Sequence, residues 1–198
     1  INPLVRKNIY KLKSSSSIKD KFTILIVGGS QSASIFDLSL KNSIVNISKK
    51  KPIKIIQQTN KENVSHLKDF YSKNNIENKI FNFENNFENI IKDTDLCITR
   101  SGASTLAELS VMNIPFIAVP LPTSKDNHQL ENANFYKEND CCWVIEQTNF
   151  EKKIEHLLSE ILTDKIDYLK KKENLKKLNF QNTWINVNQK ILEIINEN

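Results

Sequence analysis

Apolar residues along this chain follow two rhythms: short unbroken runs, and longer stretches where they recur every three or four positions. The stretch Phe22 to Val27 is a near-continuous hydrophobic run, as expected of a strand buried on both faces of a sheet. A helix is predicted from about Ser34 to Lys49, a strand over Ile53 to Gln57 and a helix over Lys61 to Lys73. A short strand over Lys79 to Phe83 and a brief helix near Phe87 to Lys92 come next. The fourth strand, Asp95 to Thr99, leads into a helix reaching about Met112. Pro115 to Pro120 reads as the fifth strand, Asn127 to Asn139 as a helix and Cys142 to Ile145 as the sixth strand.

From Phe150 onward the spacing is wholly helical, with Ile154, Leu157, Leu158, Ile161 and Leu162 on one face and Trp184, Val187, Ile191 and Ile194 on a last helix. Strands alternating with helices of this length imply a parallel sheet with right-handed crossovers. The expected fold class is therefore α/β: a Rossmann-like, doubly wound parallel sheet with a C-terminal helical extension. The predicted divisions are a linker over 1–21, the Rossmann-like domain over 22–163 and C-terminal helices over 164–198. Asn2-Pro3 disfavours helix, and Ser14 to Ser17 is a flexible tract within that linker.

Length supports one large domain more readily than two small ones at 198 residues, and 39% hydrophobic content suffices for a core. No apolar run reaches the roughly 18 residues of a membrane-spanning helix. Three cysteines, two of them adjacent, have neither zinc-site spacing nor the even count of a disulfide framework, so reduced core thiols are expected. Net charge is +5 and uneven: residues 1–54 carry eleven Lys and Arg against Asp20 and Asp37. Such a segment suits phosphate, nucleic acid or an anionic membrane surface, and equally a solvated lysine-rich face. Lys11, Lys13, Lys19 and Lys21 are the basis of the membrane reading.

Three polar stretches carry candidate chemistry, each after a strand and at the opening of a helix. Gly28-Gly29-Ser30-Gln31-Ser32-Ala33-Ser34 offers close backbone approach and free N–H groups that attract phosphate. It has neither the dinucleotide fingerprint nor the P-loop pattern, and an ordinary turn with serine caps fits it as well. Arg100-Ser101-Gly102-Ala103-Ser104-Thr105-Leu106-Ala107-Glu108 places Ser101, Thr105 and Glu108 at helical spacing, with Leu106 and Leu109 turned to a core. A carboxylate and hydroxyls there suit the hydroxyls of a ribose. Pro120 to Ala133 opens a helix that Ser124 or Asp126 can cap, and groups His128, Gln129 and Asn132. By the switch-point rule the three loops border one cleft, fit for phosphate, ribose and hexose. His66 and His156 read as surface residues, and no metal cluster or Ser-His-Asp order is apparent.

These three stretches together resemble the MurG family of bacterial glycosyltransferases, glycosyltransferase family 28 of the GT-B fold. The family's Gly-Gly-Ser-Gln-Gly-Ala matches Gly28 to Ala33 except at Ser32, its Arg-Ser-Gly-Ala-x-Thr-x-x-Glu matches Arg100 to Glu108 fully, and its Lys/Asp-Asp-x-x-Gln-x-x-Asn-Ala matches Lys125 to Ala133. Asn2-Pro3-Leu4-Val5-Arg6 is similar to the family's interdomain Asn-Pro-Val-Arg, with one residue more. The resemblance implies the C-terminal, donor-binding domain of a hexosyltransferase that moves N-acetylglucosamine from UDP-N-acetylglucosamine to undecaprenyl-pyrophosphoryl-N-acetylmuramoyl-pentapeptide, turning lipid I into lipid II for peptidoglycan. It implies Ser30 and Gln31 at the diphosphate and sugar, and Arg6 near the diphosphate from the linker. Ala103, Ser104 and Thr105 would line the nucleotide pocket, Glu108 would accept from the ribose hydroxyls, and His128 and Gln129 would meet the N-acetylglucosamine hydroxyls.

The resemblance further implies donor binding without metal or cofactor and no nucleic-acid partner. It implies a peripheral site on the cytoplasmic face of the bacterial inner membrane, reached with the lipid I acceptor through an N-terminal domain not present in this sequence. That domain would carry the catalytic base, so the fragment alone is expected to be soluble and inactive. Ser32, in place of glycine, adds a side chain where backbone approaches phosphate. Two alternatives stay open: the donor subunit of a split N-acetylglucosaminyltransferase, and a non-enzymatic nucleotide-binding module.

Overall fold

The computed structural model describes residues 5–10, 12, 20–28, 33–178 and 184–196. Its elements begin with α1 (Lys7–Tyr10), β1 (Phe22–Val27), α2 (Ala33–Ser39), α3 (Lys41–Ser48) and β2 (Ile53–Gln58). They continue with α4 (Val64–Lys73), β3 (Glu77–Phe81), α5 (Phe87–Ile91), β4 (Leu96–Thr99) and α6 (Ala103–Val111). The remainder is β5 (Phe116–Ala118), α7 (His128–Glu138), β6 (Cys142–Val144), α8 (Phe150–Thr163), α9 (Lys165–Lys177) and α10 (Trp184–Asn196). The features expected at Asn2-Pro3 and at Ser14 to Ser17 lie outside the described residues, as do Lys11, Lys13 and Lys19.

All six strands are parallel in the order β3-β2-β1-β4-β5-β6. Chain direction along the sheet reverses between β1 and β4, which is the switch point of a doubly wound fold. Alternate residues of each strand feed opposite faces. Leu25, Val27, Cys97 and Phe116 pack with Leu106 and Leu109 of α6, Tyr136 of α7 and Leu175 of α9. Ile24, Ile26, Ile55, Ile98 and Ile117 pack with Phe36 of α2, Ile44 of α3, Tyr71 of α4 and Phe150 of α8. Each such side chain, fully buried, contributes about 1.5–3 kcal/mol by transfer from water. The doubly wound α/β expectation is therefore met.

The ends of the central strands are level. Val27 pairs with Thr99, Thr99 with Ala118 and Ala118 with Val144. The loops after β1, β4 and β5 consequently start side by side along one edge of the sheet.

Local details depart from the sequence reading in instructive ways. The strand expected over Lys79 to Phe83 is β3, two residues earlier, and Phe83 is exposed. As an edge strand β3 pairs only with β2, and its polar start is held by register and by Glu77, which meets Lys21 and Lys54 at 2.8 Å each. The helix expected over Ser34 to Lys49 bends at Leu40, where Leu40 still donates to Phe36 (3.1 Å) and accepts from Ile44 (2.9 Å).

Helix α9 is fastened to the sheet at several points. Trp143 Nε1 donates to Asp167 (3.0 Å), Tyr168 donates to the Asp95 carbonyl (2.9 Å) and buried Lys171 pairs with Asp140 (2.7 Å). Cys97, Cys141 and Cys142 are free and buried, and burial pushes the Cys141 thiol up to about 11 and Cys142 to about 12. Thiols held so far protonated are poor nucleophiles, which fits the core role expected of them.

Candidate functional site

The first loop leaves β1 through buried Gly28, and Ser30, Gln31 and Ser32 lie outside the described residues. Helix α2, which opens beyond this loop at Ala33, is well anchored. Its Asp37 is buried and accepts from Gln57 Nε2 (2.9 Å), Thr59 Oγ1 (2.5 Å) and Asn63 Nδ2 (3.0 Å). This ties the helix that carries the loop to the end of β2.

The second loop is Arg100 to Gly102, ahead of α6. Helix α6 begins at Ala103 with Gly102 as its N-cap, so Ser101 lies outside the helix and does not share a helical face with Thr105 and Glu108. The extended backbone at Gly102 (φ −66, ψ 129) turns the chain before the first helical turn. The first intrahelical bond is Leu106 N to the Gly102 carbonyl (3.1 Å), and no side chain caps the end. The N–H groups of Ala103, Ser104 and Thr105 therefore point along the helix axis without intrahelical partners, where the helix dipole is positive. A Cβ placed at Gly102 would meet nothing within 4 Å, so that side of the loop is open.

Glu108 lies one turn further and is buried. Its two oxygens receive a bidentate fork from Arg6, Nε to Oε1 at 2.6 Å and Nη2 to Oε2 at 2.7 Å. Val5 and Ile9, both buried, join the segment before β1 to the core on either side of Arg6. The guanidinium also lies 5.5 Å from the Phe87 ring centroid. Its hydrogen bond to Glu108 raises the Arg6 pKa further above an already high value. Two residues expected at different parts of a ligand, ribose and diphosphate, are thus brought into contact with each other.

The third loop leaves β5, passes a short turn over Lys125–Asn127 and enters α7. Neither Ser124 nor Asp126 caps it with a side chain. Asp126 (φ 49) and Asn127 (φ 53) instead adopt left-handed backbone, which these two residue types tolerate better than most. His128 is exposed, and its Nδ1 lies 2.7 Å from the Lys125 carbonyl. A carbonyl can only accept, so Nδ1 carries a proton, and in the neutral ring Nε2 is then the acceptor. Gln129 Oε1 receives Ser101 N (3.2 Å) and Leu121 N (3.0 Å), leaving its amide Nε2 for other partners. Asn132 Nδ2 donates to the Ser101 carbonyl (2.9 Å). Helix α7 is in this way stapled to the loop before α6.

Arg100 was legible only as part of a motif, yet it is the most connected residue here. Nη1 donates to the Val119 and Pro120 carbonyls (3.1 and 3.4 Å), Nη2 to Gln147 Oε1 (2.6 Å), and the guanidinium lies 5.4 Å from the Phe36 ring centroid. The signal in the sequence was an arginine directly after four apolar or small strand residues, since arginine is seldom buried unless partnered. Among the described residues no group of three His, Cys, Asp or Glu is clustered to hold a metal, and no helix is long and apolar enough to cross a membrane. His66 and His156 are exposed, as expected. A surface cavity beside β6 and α8 includes Trp143, Lys152 and His156 in its lining and none of the expected binding residues.

Comparison with known proteins agrees with this arrangement. The family described as glycosyltransferase family 28 C-terminal domain matches residues 23–185. The chain is 46% identical over 199 residues to a Pelagibacter ubique protein named UDP-N-acetylglucosamine--N-acetylmuramyl-(pentapeptide) pyrophosphoryl-undecaprenol N-acetylglucosamine transferase, covering 100% of this chain and 56% of the relative. A protein of the same name from Rickettsia canadensis is 42% identical over 151 residues, covering 74% of this chain and 43% of its own length. The chain thus spans about half the length of the curated relatives it matches. A crystal structure of Acinetobacter baumannii MurG superposes with a TM-score of 0.70 at 22% identity, over 86% of this chain and 48% of that one. A UDP-GlcNAc 2-epimerase from Neisseria meningitidis bound to UDP-GlcNAc gives 0.60 at 14% identity, over 92% and 46%. Both likenesses speak to the fold alone.

Proposed function

This chain belongs to the family of glycosyltransferase family 28 C-terminal domains, and from that premise we propose that it binds UDP-N-acetylglucosamine as the donor half of the transferase that builds lipid II from lipid I. The observation that carries this reading is the level ending of Val27, Thr99 and Ala118, from which three polar stretches start side by side, with the free N–H groups of α6 and the Glu108 carboxylate after the middle one. Its relatives carry that activity in their names.

Within this reading Ala103, Ser104 and Thr105 face the nucleotide, and their N–H groups stabilise the charge that develops on the departing UDP. Ser30 and Gln31 serve the diphosphate and sugar. Glu108 accepts from the ribose hydroxyls with the lone pairs that Arg6 leaves unused, a carboxylate having about four such sites. Arg6 fixes that carboxylate in the orientation the ribose needs, and lies within reach of the diphosphate side from the linker. The His128 Nε2 acceptor and Gln129 Nε2 donor read hydroxyls of the N-acetylglucosamine. The acceptor, the catalytic base and the contact with the cytoplasmic face of the inner membrane are assigned to the part of the relatives that this chain does not span.

Calorimetric titration with UDP tests the reading. Wild type is expected to bind, and Glu108→Gln to bind about 10- to 100-fold more weakly, since a hydrogen bond to a charged group contributes about 1.5–3 kcal/mol. Equal affinity for the two proteins overturns the role of Glu108, and no binding by wild type overturns the reading itself.

A further inference from the structure

Arg100 is 7% exposed, and every partner it has among the described residues is neutral. Two backbone carbonyls, one amide oxygen and one aromatic ring surround it; no carboxylate does. Nε is buried with no partner, and so is Oγ of Ser101 next to it. A buried cation without a counter-charge is costly, and a bound anion can supply the counter-charge. Desolvation accordingly draws the guanidinium below its ordinary range.

Geometry alone does not explain the arginine. A neutral amide could serve the Val119 carbonyl or pair with Gln147. The guanidinium joins more than that: it stacks on Phe36 of α2, occupies the loop before α6 and grips the chain leaving β5. Those segments follow β1, β4 and β5, whose ends are level. Its charge also sits at the end of the sheet where the unpaired N–H groups of α6 point, so the two positive ends reinforce each other.

We propose that Arg100 is a positioning residue that holds α2, the loop before α6 and the chain leaving β5 together and lends an uncompensated positive charge to the diphosphate subsite, whose phosphates supply the missing counter-charge. The inference rests on the donor-binding reading above. Arg100 acts across the loop and not by contact with the reacting atoms, so it is not a catalytic residue.

The experiment compares uridine, UMP and UDP on the wild-type chain, Arg100→Gln and Arg100→Lys by calorimetry. For Arg100→Gln the loss should grow with ligand charge, from less than about 3-fold for uridine to about 30-fold for UDP, the order expected for a unit charge acting over several ångströms through a partly shielded medium. A residue with only a structural role would lower all three affinities by one factor. Arg100→Lys keeps the charge, and its UDP-to-uridine affinity ratio should stay within about 3-fold of wild type. That variant carries the test if Arg100→Gln fails to fold. A uniform loss in Arg100→Gln, or a collapsed ratio in Arg100→Lys, overturns the proposal while wild-type UDP binding leaves the donor reading standing. Failure of the wild type to bind UDP removes both.

Discussion

Asp37 and Arg100 are both charged, both more than nine-tenths buried, and both attached to segments that come after central strands. Their surroundings differ. Asp37 receives three donors, and the network continues as Tyr71 donates to Gln57 Oε1 at 2.9 Å, with burial raising the Tyr71 hydroxyl well above its usual pKa. No side-chain polar atom of Asp37, Gln57, Thr59 or Tyr71 is among those buried without a partner. Arg100 is partnered on Nη1 and Nη2 but not on Nε, and its neighbour Ser101 has an orphaned hydroxyl. Buried polar groups in folded proteins are overwhelmingly satisfied, so a complete network reads as architecture and an incomplete one as a place kept for something else. The first cluster holds the loop-bearing helix in place; the second, on the proposal above, answers to what the loops bind.

The largest effect that can break this contrast is at Asp37. Asp37→Ala orphans three donors at once and should destabilise by about 3 kcal/mol, which in a chain of this size lowers the melting temperature by about 10 °C. UDP affinity measured well below the transition should change less than about 3-fold. Urea denaturation and calorimetry on the same variant decide it. A variant as stable as wild type, or one folded but unable to bind UDP, would erase the division between the two clusters.

Much of this architecture was readable in the residues, for identifiable reasons. Continuous apolar runs such as Phe22 to Val27 and Leu96 to Thr99 can only be strands covered on both faces, and β1 and β4 stand at the centre of the sheet. The three polar loops were found because each comes directly after such a run. What escaped depends on partners distant in sequence. The fork between Arg6 and Glu108 joins positions 102 apart, and nothing local to either residue announces it. The shift of β3 arises from its pairing with β2, and its own apolar content is too small to mark its ends. Ser101 was placed on the helix because its spacing permits it; the extended Gly102 starts the helix two residues later. Gln129 is expected at the ligand from its residue type and from the family resemblance; what the sequence does not announce is that its oxygen bridges two backbone N–H groups.

A smaller effect sharpens the contrast from the other side. Removing the Ser101 hydroxyl takes away a group that the fold does not use, so Ser101→Ala should alter stability by less than about 0.5 kcal/mol. If that hydroxyl is kept for the ligand, UDP affinity should fall by about 3- to 10-fold, the range of one ordinary hydrogen bond. A melting temperature lowered by more than about 5 °C would mean that the hydroxyl belongs to the architecture after all.

The smallest effect belongs to neither cluster and calibrates both. Glu77 sits on the exposed edge strand, its side chain 44% exposed, and hydrogen bonds from Lys21 and then Lys54 hold its pKa down at about 2, against 4.5 for a free glutamate. A carboxylate whose folded pKa is depressed stabilises the fold above its unfolded pKa and loses that contribution as pH falls toward the folded value. The window is therefore pH 4.5 down to about 2. Because water screens so exposed a site, the contribution at neutral pH should be only a few tenths of a kcal/mol, and 1 M salt should remove most of it. Urea midpoints of wild type and Glu77→Gln should differ slightly at pH 7 and converge as the pH approaches 2. The Asp37→Ala deficit, arising from a buried network with no exposed partner, should by contrast persist in 1 M salt at pH 7; a deficit that salt abolished would place Asp37 among the surface ion pairs and dissolve the comparison.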